Sequence, residues 1–210
     1  MGYLLATILA VITLGFSIRF LWSANHEFLI YVVVILVVAG LIAATFSRVR
    51  YSFVCLVGLA IWAVLHLAGG GIRVNDDVLY GLILIPISDL VAGRSDGCSL
   101  MHSILRYDQV VHAFGFGVAT LVMYQLLANL LPPRDMKRFS VGLVTVMAGC
   151  GLGALNENIE FLLTVLLPQT GVGGYENTSL DLCSNLFGAV CAYLLVRTGV
   201  LSIGRRSCRV

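Results

Sequence analysis

The sequence predicts an all-α protein that spans a membrane as a polytopic bundle of helices, and three observations lead to this prediction. Hydrophobic residues make up 59% of the 210-residue chain, and charged residues make up only 11%. The mean hydropathy is +0.97. The apolar residues also lie in long stretches, six of which are long enough to cross about 30 Å of hydrocarbon. Since soluble globular domains carry roughly 25% charged residues, the composition excludes that class of protein.

Each long apolar stretch predicts one transmembrane helix, and together they predict a single integral membrane domain over residues 1–210. The first stretch lacks the basic start and the small-residue cleavage site of a secretory signal, so we expect it to remain as a helix. The predicted spans are 2–22, 28–46, 51–69, 109–131, 141–167 and 180–198.

A further apolar stretch, "VLYGLILIPIS" at 78–88, is too short to cross the membrane as a helix. It is 11 residues long, contains Pro86 and is followed by Asp89. Its length favours a re-entrant or interfacial segment, which adds a short seventh element to the six predicted spans.

The positions of lysine and arginine predict how the helices are oriented. Basic residues follow the second, fourth and sixth spans, whereas the connections 23–27 and 168–179 contain no lysine or arginine. Because cytoplasmic loops are enriched in basic residues, we expect both termini in the cytoplasm and the connections 70–107 and 168–179 outside. The net charge of +2 reflects this bias, and the sequence has no basic cluster typical of nucleic-acid binding.

The six cysteines do not form a metal-binding framework, because none has CxxC spacing. Cys55, Cys150 and Cys191 fall inside predicted spans, where cysteine is typical as a small apolar residue. Cys98 and Cys183 are expected on or near the outer side. They could form a disulfide bond there, although the sequence alone does not show that they are close in space.

Two glutamates interrupt the fifth span in the hexapeptide "NENIEF" at 156–161. A charged side chain at mid-bilayer costs roughly 2.5–3.5 kcal/mol on insertion scales, so Glu157 and Glu160 need a compensating partner. Both lie too far from the ends of the span for capping or snorkelling to explain them. Their spacing of three residues places them on one helical face, and we interpret them as part of a buried polar site.

Three other spans carry polar residues at a similar depth. His66 lies near the outer end of the third span, Asp108 and His112 lie in the first turns of the fourth, and Asp181 and Asn185 begin the sixth. The spacing of four residues within each of the last two pairs places both members of a pair on one helical face. Since such polar faces must turn towards protein or a water-filled cavity, we expect these side chains to converge with the glutamates.

Each of these residues also has a purely structural interpretation. A carboxylate in the first turn of a helix satisfies free backbone N–H groups, so Asp108 and Asp181 could be helix caps. Buried histidines are more often hydrogen-bonded packing residues than ligands, and Asn185 could tie two helices together. The two glutamates fit these interpretations least, because they lie well inside a span.

The residue types at this depth are those that bind a divalent cation. Mixed imidazole and carboxylate ligation suits Zn²⁺, Mn²⁺ or Fe²⁺. The fifth span carries Glu-x-x-Glu rather than the Glu-x-x-His motif of di-iron bundles, which disfavours a di-iron oxidase. Without a metal, the same carboxylates would hold protons, as in a relay or coupling site. We assign His66, His112, Glu157 and Asp181 as metal ligands, Glu160 or Asp108 as the acid–base group, Asn185 as a supporting residue, and Arg106 and His102 as groups that could meet a phosphate.

Four segments resemble, in order and spacing, the YjdF-like bacterial inner-membrane proteins. These segments are "LHLAGGG" (65–71), "RYDQVVHAFGFG" (106–117), "NENIEF" (156–161) and "YENTSLDLCSNLFGA" (175–189). More distantly, they are similar to the VanZ-like membrane proteins. The resemblance covers about 65–190, and Asn177 stands where the last motif usually has an additional aspartate. The resemblance to YjdF-like proteins implies that the assigned residues belong to one site and that the protein lies in a bacterial inner membrane.

These observations lead to one functional expectation and two alternatives. We expect a metal-dependent membrane enzyme, a hydrolase or transferase, that acts on a lipid, a lipid-linked head group or another amphipathic small molecule at the outer leaflet. One alternative is a proton- or cation-coupled transporter or binding protein that uses the same carboxylates. The other is a non-catalytic envelope scaffold in which the polar layer only locks helices together.

Overall fold

The computed structural model of the protein describes residues 2–74, 77–86 and 103–203. The described residues contain six helices that are long and apolar enough to cross a membrane, which confirms the predicted all-α polytopic bundle. These helices are α1 (Gly2–Trp22), α2 (His26–Val49), α3 (Phe53–Gly71), α4 (Tyr107–Leu130), α5 (Phe139–Leu166) and α6 (Tyr175–Arg197).

Consecutive helices run in opposite directions. Four of the five connections are short, which favours antiparallel neighbours. Across the longer α3–α4 connection, the Tyr107 hydroxyl at the start of α4 donates to the carbonyl of Leu65 near the end of α3 at 3.0 Å. At one end of the bundle, here called the upper end, α1, α3 and α5 finish and α2, α4 and α6 begin. Asn25 caps α2, because its side-chain oxygen accepts the N–H of Phe28 at 3.1 Å. At the lower end Ser52 caps α3 in the same way, accepting the N–H of Cys55 at 3.3 Å.

Helix α4 contacts α2, α3, α5 and α6, and it packs most extensively against α6. The two backbones approach closely because α6 has a glycine at the crossing point. A Cβ atom on Gly188 would overlap the carbonyl oxygen of Ala113. Small residues allow such close helix packing in membranes, and here the contact places the upper halves of α4 and α6 side by side.

An apolar cluster packs α1, α2, α3 and α5 together at the upper end; its buried members include Phe20, Phe28, Tyr31, Leu67 and Leu163. The glycines at 69–71 make room for this cluster at the end of α3. A Cβ atom at each of the three would overlap an aromatic ring, that of Tyr80, Phe28 or Phe16. The three glycines of the motif "LHLAGGG" therefore allow aromatic rings to pack directly against the backbone of α3.

The described residues between α3 and α4 form two short antiparallel ribbons. Strand β1 (Arg73–Val74) pairs with β2 (Asp77–Val78), and β3 (Ile83–Pro86) pairs with β4 (Ser103–Arg106). A single 3-10 turn, Leu79–Gly81, lies between them.

The apolar stretch 78–88 was predicted as a re-entrant or interfacial segment. Its described part, 78–86, consists of Val78 of β2, the 3-10 turn, Leu82 and β3. It satisfies its backbone groups by strand pairing rather than by entering the bundle as a helix. The ring of Tyr80 reaches the helices and packs against Gly69 of α3, and the carbonyl of Leu82 accepts the N–H of Tyr107 at the start of α4 at 2.9 Å.

The start of α6 differs from the prediction. The helix begins at Tyr175 rather than near residue 180, because the polar stretch before the apolar residues continues the helix and places Glu176 in its first turn. Asp181 consequently lies in the second turn, and its interpretation as a helix cap is wrong. Asp108, in contrast, does lie in the first turn of α4.

Candidate functional site

His112 lies at the centre of a buried polar cluster formed by α4, α5 and α6. Its Nε2 atom is 3.5 Å from Asp108 Oδ1 and 3.8 Å from Glu160 Oε1. Its Nδ1 atom is 3.5 Å from Glu157 Oε1 and 3.1 Å from Asn185 Oδ1. The two sides of the imidazole ring therefore face different partners.

Two overlapping sets of side chains bring potential ligand atoms within 4.8 Å of one another. The aspartate set is Asp108, His112 and Asp181, and the glutamate set is His112, Glu157 and Glu160. Together these five residues form what we call the His112 cluster. The structure thus brings together five of the residues that the sequence analysis placed at one depth.

Amide groups donate hydrogen bonds to both oxygens of Asp181 and to one oxygen of Asp108. Asn177 Nδ2 donates to Asp181 Oδ2 at 2.6 Å and to Asp108 Oδ2 at 3.1 Å. Gln109 Nε2 donates to Asp181 Oδ1 at 2.9 Å, while its own oxygen accepts the backbone N–H of Arg106 at 2.8 Å. Asp181, which has 0% of its surface exposed, is thereby bonded at both oxygens.

The glutamate set lacks comparable donors. Asn156 Nδ2 donates to Glu160 Oε1 at 2.7 Å. Within the described part of the chain, neither oxygen of Glu157 has a hydrogen-bond partner, and neither does Asn185 Nδ2. Buried polar groups are nearly always hydrogen-bonded, since leaving a buried group unpaired costs about 1–3 kcal/mol and more if it is charged. This half of the cluster therefore has unused capacity for a cation or a proton.

The cluster is enclosed unevenly. The side chains of Glu157 and His112 are 6% and 7% exposed, whereas those of Glu160 and Asp108 are 14% and 18% exposed. Glu160 also lies one turn nearer the upper end of α5 than Glu157 does. Access to the cluster is therefore from the side of Asp108 and Glu160, and Glu157 lies behind them.

His66 occupies a separate environment of aromatic rings. Its ring centroid is 4.8 Å from that of Tyr31, 5.5 Å from Trp62 and 5.9 Å from Phe28. His66 Nδ1 is hydrogen-bonded to the hydroxyl of Tyr80. Among the described residues, His66 joins neither potential ligand set, so the structure does not place this predicted ligand in the His112 cluster.

Tyr80 stays a neutral phenol in this hydrogen bond. Burial raises the pKa of Tyr80 well above its ordinary value, and negative charge on Asp108 and Glu160 raises it further. The phenol therefore keeps its proton, and which of Tyr80 Oη and His66 Nδ1 donates depends on the tautomer of His66. A metal role for His66 stays a prediction.

The sequence analysis assigned no carboxylate-binding role to three amide side chains that donate to the carboxylates, namely Gln109, Asn156 and Asn177. A signal was present for two of them. Asn156 precedes Glu160 by four residues and Asn177 precedes Asp181 by four, the spacing that places side chains on one face of a helix. Gln109 bonds instead across to another helix, and a contact of that kind has no local sequence pattern.

The remaining predicted residues lie at the edge of the site or outside the described residues. Arg106 precedes α4 directly and is half-buried, and its contact with a phosphate stays a prediction. His102 and Cys98 lie outside the described residues, so neither the phosphate role of His102 nor the pairing of Cys98 with Cys183 is tested.

A separate cleft of about 700 Å³ opens at the upper end, between the α1–α2 turn, Arg73 and residues 167–171. Glu27 lies on one side of it and accepts the backbone N–H of Gly171 at 2.7 Å. Of the described residues that line this cleft, none belongs to the His112 cluster.

Six long apolar helices and a buried carboxylate cluster inside them define an integral membrane protein with a polar site within its helical bundle. The chain belongs to the family described as "Predicted membrane protein (DUF2238)", whose family model matches residues 1–200. The match includes α1 and α2, for which the sequence analysis found no motif. Neither the curated proteins nor the solved structures include a match to this chain.

Proposed function

We propose that the protein is a membrane-embedded enzyme, a hydrolase or transferase, that holds a divalent cation in the His112 cluster and acts on a lipid or lipid-linked head group. One observation carries the proposal. The side chain of Glu157 is only 6% exposed, lies among three other carboxyl groups, and has no hydrogen-bond partner among the described residues. A cation would compensate both the buried charge and the missing hydrogen bonds.

The donor types in the glutamate set suit a transition-metal ion. One imidazole nitrogen with carboxylate oxygens is the mixed ligation that Zn²⁺, Mn²⁺ and Fe²⁺ accept. We propose His112 and Glu157 as ligands. The amide hydrogen bonds to both oxygens of Asp181 favour a role for that residue in holding α4 against α6, so Asp181 as a ligand stays a prediction.

The more exposed carboxylates suit proton transfer. A divalent cation in the cluster would lower the pKa of a bound water molecule and so supply a nucleophile at neutral pH. Glu160 lies 3.8 Å from His112 and its side chain is 14% exposed, more than that of Glu157, so it is the better placed of the two glutamates to exchange protons with water or a substrate. Asp108 lies on the same open side and can serve the same role.

We propose that the upper end faces the outer side of a bacterial inner membrane, with both termini in the cytoplasm. Basic residues at the lower end support this orientation: Arg48, Arg50, Arg134, Lys137, Arg138 and Arg197. A substrate would then reach the His112 cluster from the outer leaflet. The resemblance to YjdF-like proteins, and more distantly to VanZ-like proteins, is compatible with this location.

Turnover of lipid head groups tests the enzymatic part of the proposal. The purified protein is reconstituted in vesicles of phosphatidylethanolamine and phosphatidylglycerol, with Mn²⁺ or with a chelator, and head-group products are followed by mass spectrometry. We expect products that depend on Mn²⁺ and that fall about a hundredfold or more in Glu160→Gln. Glu176→Gln, which changes an exposed glutamate outside the cluster, is the matched control. A bound cation without any head-group product would contradict the enzyme and favour transport.

A further inference from the structure

We infer that Asn185 binds the cation directly through its side-chain oxygen, on the Nδ1 side of His112. This inference rests on the proposed cation site and adds a ligand from a third helix. The alternative is that Asn185 only ties α6 to α4, as amide side chains often do between membrane helices.

The distances between the potential donor atoms are those of atoms that share one ion. His112 Nδ1 is 3.1 Å from Asn185 Oδ1 and 3.5 Å from Glu157 Oε1. A small divalent cation holds nitrogen and oxygen ligands at about 2.0–2.1 Å, which separates neighbouring donor atoms by about 3.0 Å in octahedral and about 3.4 Å in tetrahedral geometry. The three atoms come from α4, α5 and α6, so a cation between them would join three helices.

Both ring nitrogens of His112 face oxygen atoms. Nε2 is 3.5 Å from Asp108 Oδ1 and 3.8 Å from Glu160 Oε1, whereas Nδ1 faces Asn185 Oδ1 and Glu157 Oε1. A neutral imidazole carries one hydrogen, so one of its nitrogens presents a lone pair to these oxygens. With the hydrogen on Nε2, Nδ1 can bind a cation that lies between it and the oxygens of Asn185 and Glu157.

The packing of α5 holds the Asn185 side chain in this position. Asn185 has 0% of its surface exposed, and its Nδ2 has no hydrogen-bond partner in the described ranges. The amide fits because residue 153 is a glycine. A Cβ atom on Gly153 would lie 2.5 Å from Asn185 Nδ2 and 2.8 Å from Cγ, so any larger residue would displace the amide.

Two substitutions at Asn185 separate a ligand from a helix tie. Binding of Mn²⁺ and Zn²⁺ is measured by isothermal titration on purified, monodisperse protein. Asn185→Leu removes the oxygen, and we expect affinity to fall about tenfold or more. Asn185→Asp keeps an oxygen at the same position, and we expect one bound ion and an affinity no weaker than wild type. A merely structural amide predicts the opposite for aspartate, because a further buried carboxylate without an ion would destabilise the fold.

A second pair of variants substitutes none of the proposed ligand residues. Gly153→Ala displaces the Asn185 amide, so we expect weaker ion binding. Gly151→Ala is the matched control in the same helix, since no described atom lies within 4 Å of a Cβ atom there. We expect this control to bind ions as wild type does. If Asn185→Leu does not fold, the comparison of Gly153→Ala with Gly151→Ala decides whether Asn185 binds the cation.

The outcomes separate this inference from the proposed function. A wild-type protein that binds no divalent cation overturns both. A wild-type protein that binds one ion, with unchanged affinity in folded Asn185→Leu or in Gly153→Ala, overturns the role of Asn185 and leaves the cation site standing.

Discussion

The two glutamates of "NENIEF" are unequal partners. Glu157 lies deeper in α5, is more enclosed, and has no hydrogen-bond partner among the residues the structure describes. Glu160 lies one turn higher, is more open, and accepts a hydrogen bond from Asn156. A single helical turn therefore gives chemically similar side chains different environments, and we expect different roles for them.

We predict that Glu157→Gln loses the bound cation, because a neutral amide is a poor replacement for an anionic ligand in an enclosed site. Glu160→Gln should retain it. The metal content of each purified variant is measured by mass spectrometry, with Glu176→Gln as the control for the substitution itself. Equal loss of metal in both variants would instead make the glutamates joint ligands.

Asn177 joins the carboxylates of two helices through one nitrogen atom, and we predict that its loss destabilises the fold. Asn177→Leu leaves oxygens of Asp108 and Asp181 without their shared donor. We expect a loss of about 1–3 kcal/mol, seen as a lower Tm in detergent. Addition of Mn²⁺ should raise the Tm of this variant and of wild type alike if the cation binds in the glutamate set.

The helices that hold these residues were largely predictable, whereas the shape of the connecting segments was not. Long apolar runs have no alternative in a bilayer, so the six spans follow from their length and composition. The start of α6 depends on extension of the helix beyond the apolar run, and the fold of 78–86 depends on strand pairing. Hydropathy reports neither. Tyr80 illustrates the consequence, since its contact with His66 required the structure of that connection.

Close approach of α4 and α6 is the contact on which the site depends most. Gly188→Ala would place a methyl group against the backbone oxygen of Ala113, and backbone cannot move as a side chain can. We predict a loss of about 1–3 kcal/mol, measured as a fall in Tm. Gly40→Ala in α2 is the control, because no described atom lies within 4 Å of its added Cβ. A Tm for Gly188→Ala equal to that of the control would contradict the close packing.

The bundle places its buried carboxylates in one layer towards the upper end, and sequence reasoning located this layer from depth and helical face. Depth and helical face were sufficient to group Asp108, His112, Glu157, Glu160 and Asp181, because each lies on a regular helix whose polar face must avoid lipid. They were not sufficient for His66. Its surroundings depend on aromatic rings from α2 and from the connection after α3, which no periodicity of α3 encodes.

We predict that the upper end is accessible from outside the cell and the lower end is not. Single cysteines are introduced at Thr170, on the upper cleft, and at Arg134, whose side chain is 86% exposed at the lower end. A membrane-impermeant maleimide should label the first in intact cells and the second only after permeabilisation, with the unmodified protein as baseline. The reverse pattern would invert the topology and place the site at the cytoplasmic leaflet.

The number of divalent cations bound per chain tests the central claim most directly. Wild-type protein is purified in detergent, incubated with Mn²⁺, Fe²⁺ or Zn²⁺ under conditions that keep each ion soluble and, for iron, reduced, and desalted before elemental mass spectrometry. We predict about one tightly held ion per chain for at least one of these metals, and its loss in His112→Ala. No retained ion from any of the three, in protein that remains folded, would contradict the cation site and favour protonated carboxyl groups in the His112 cluster.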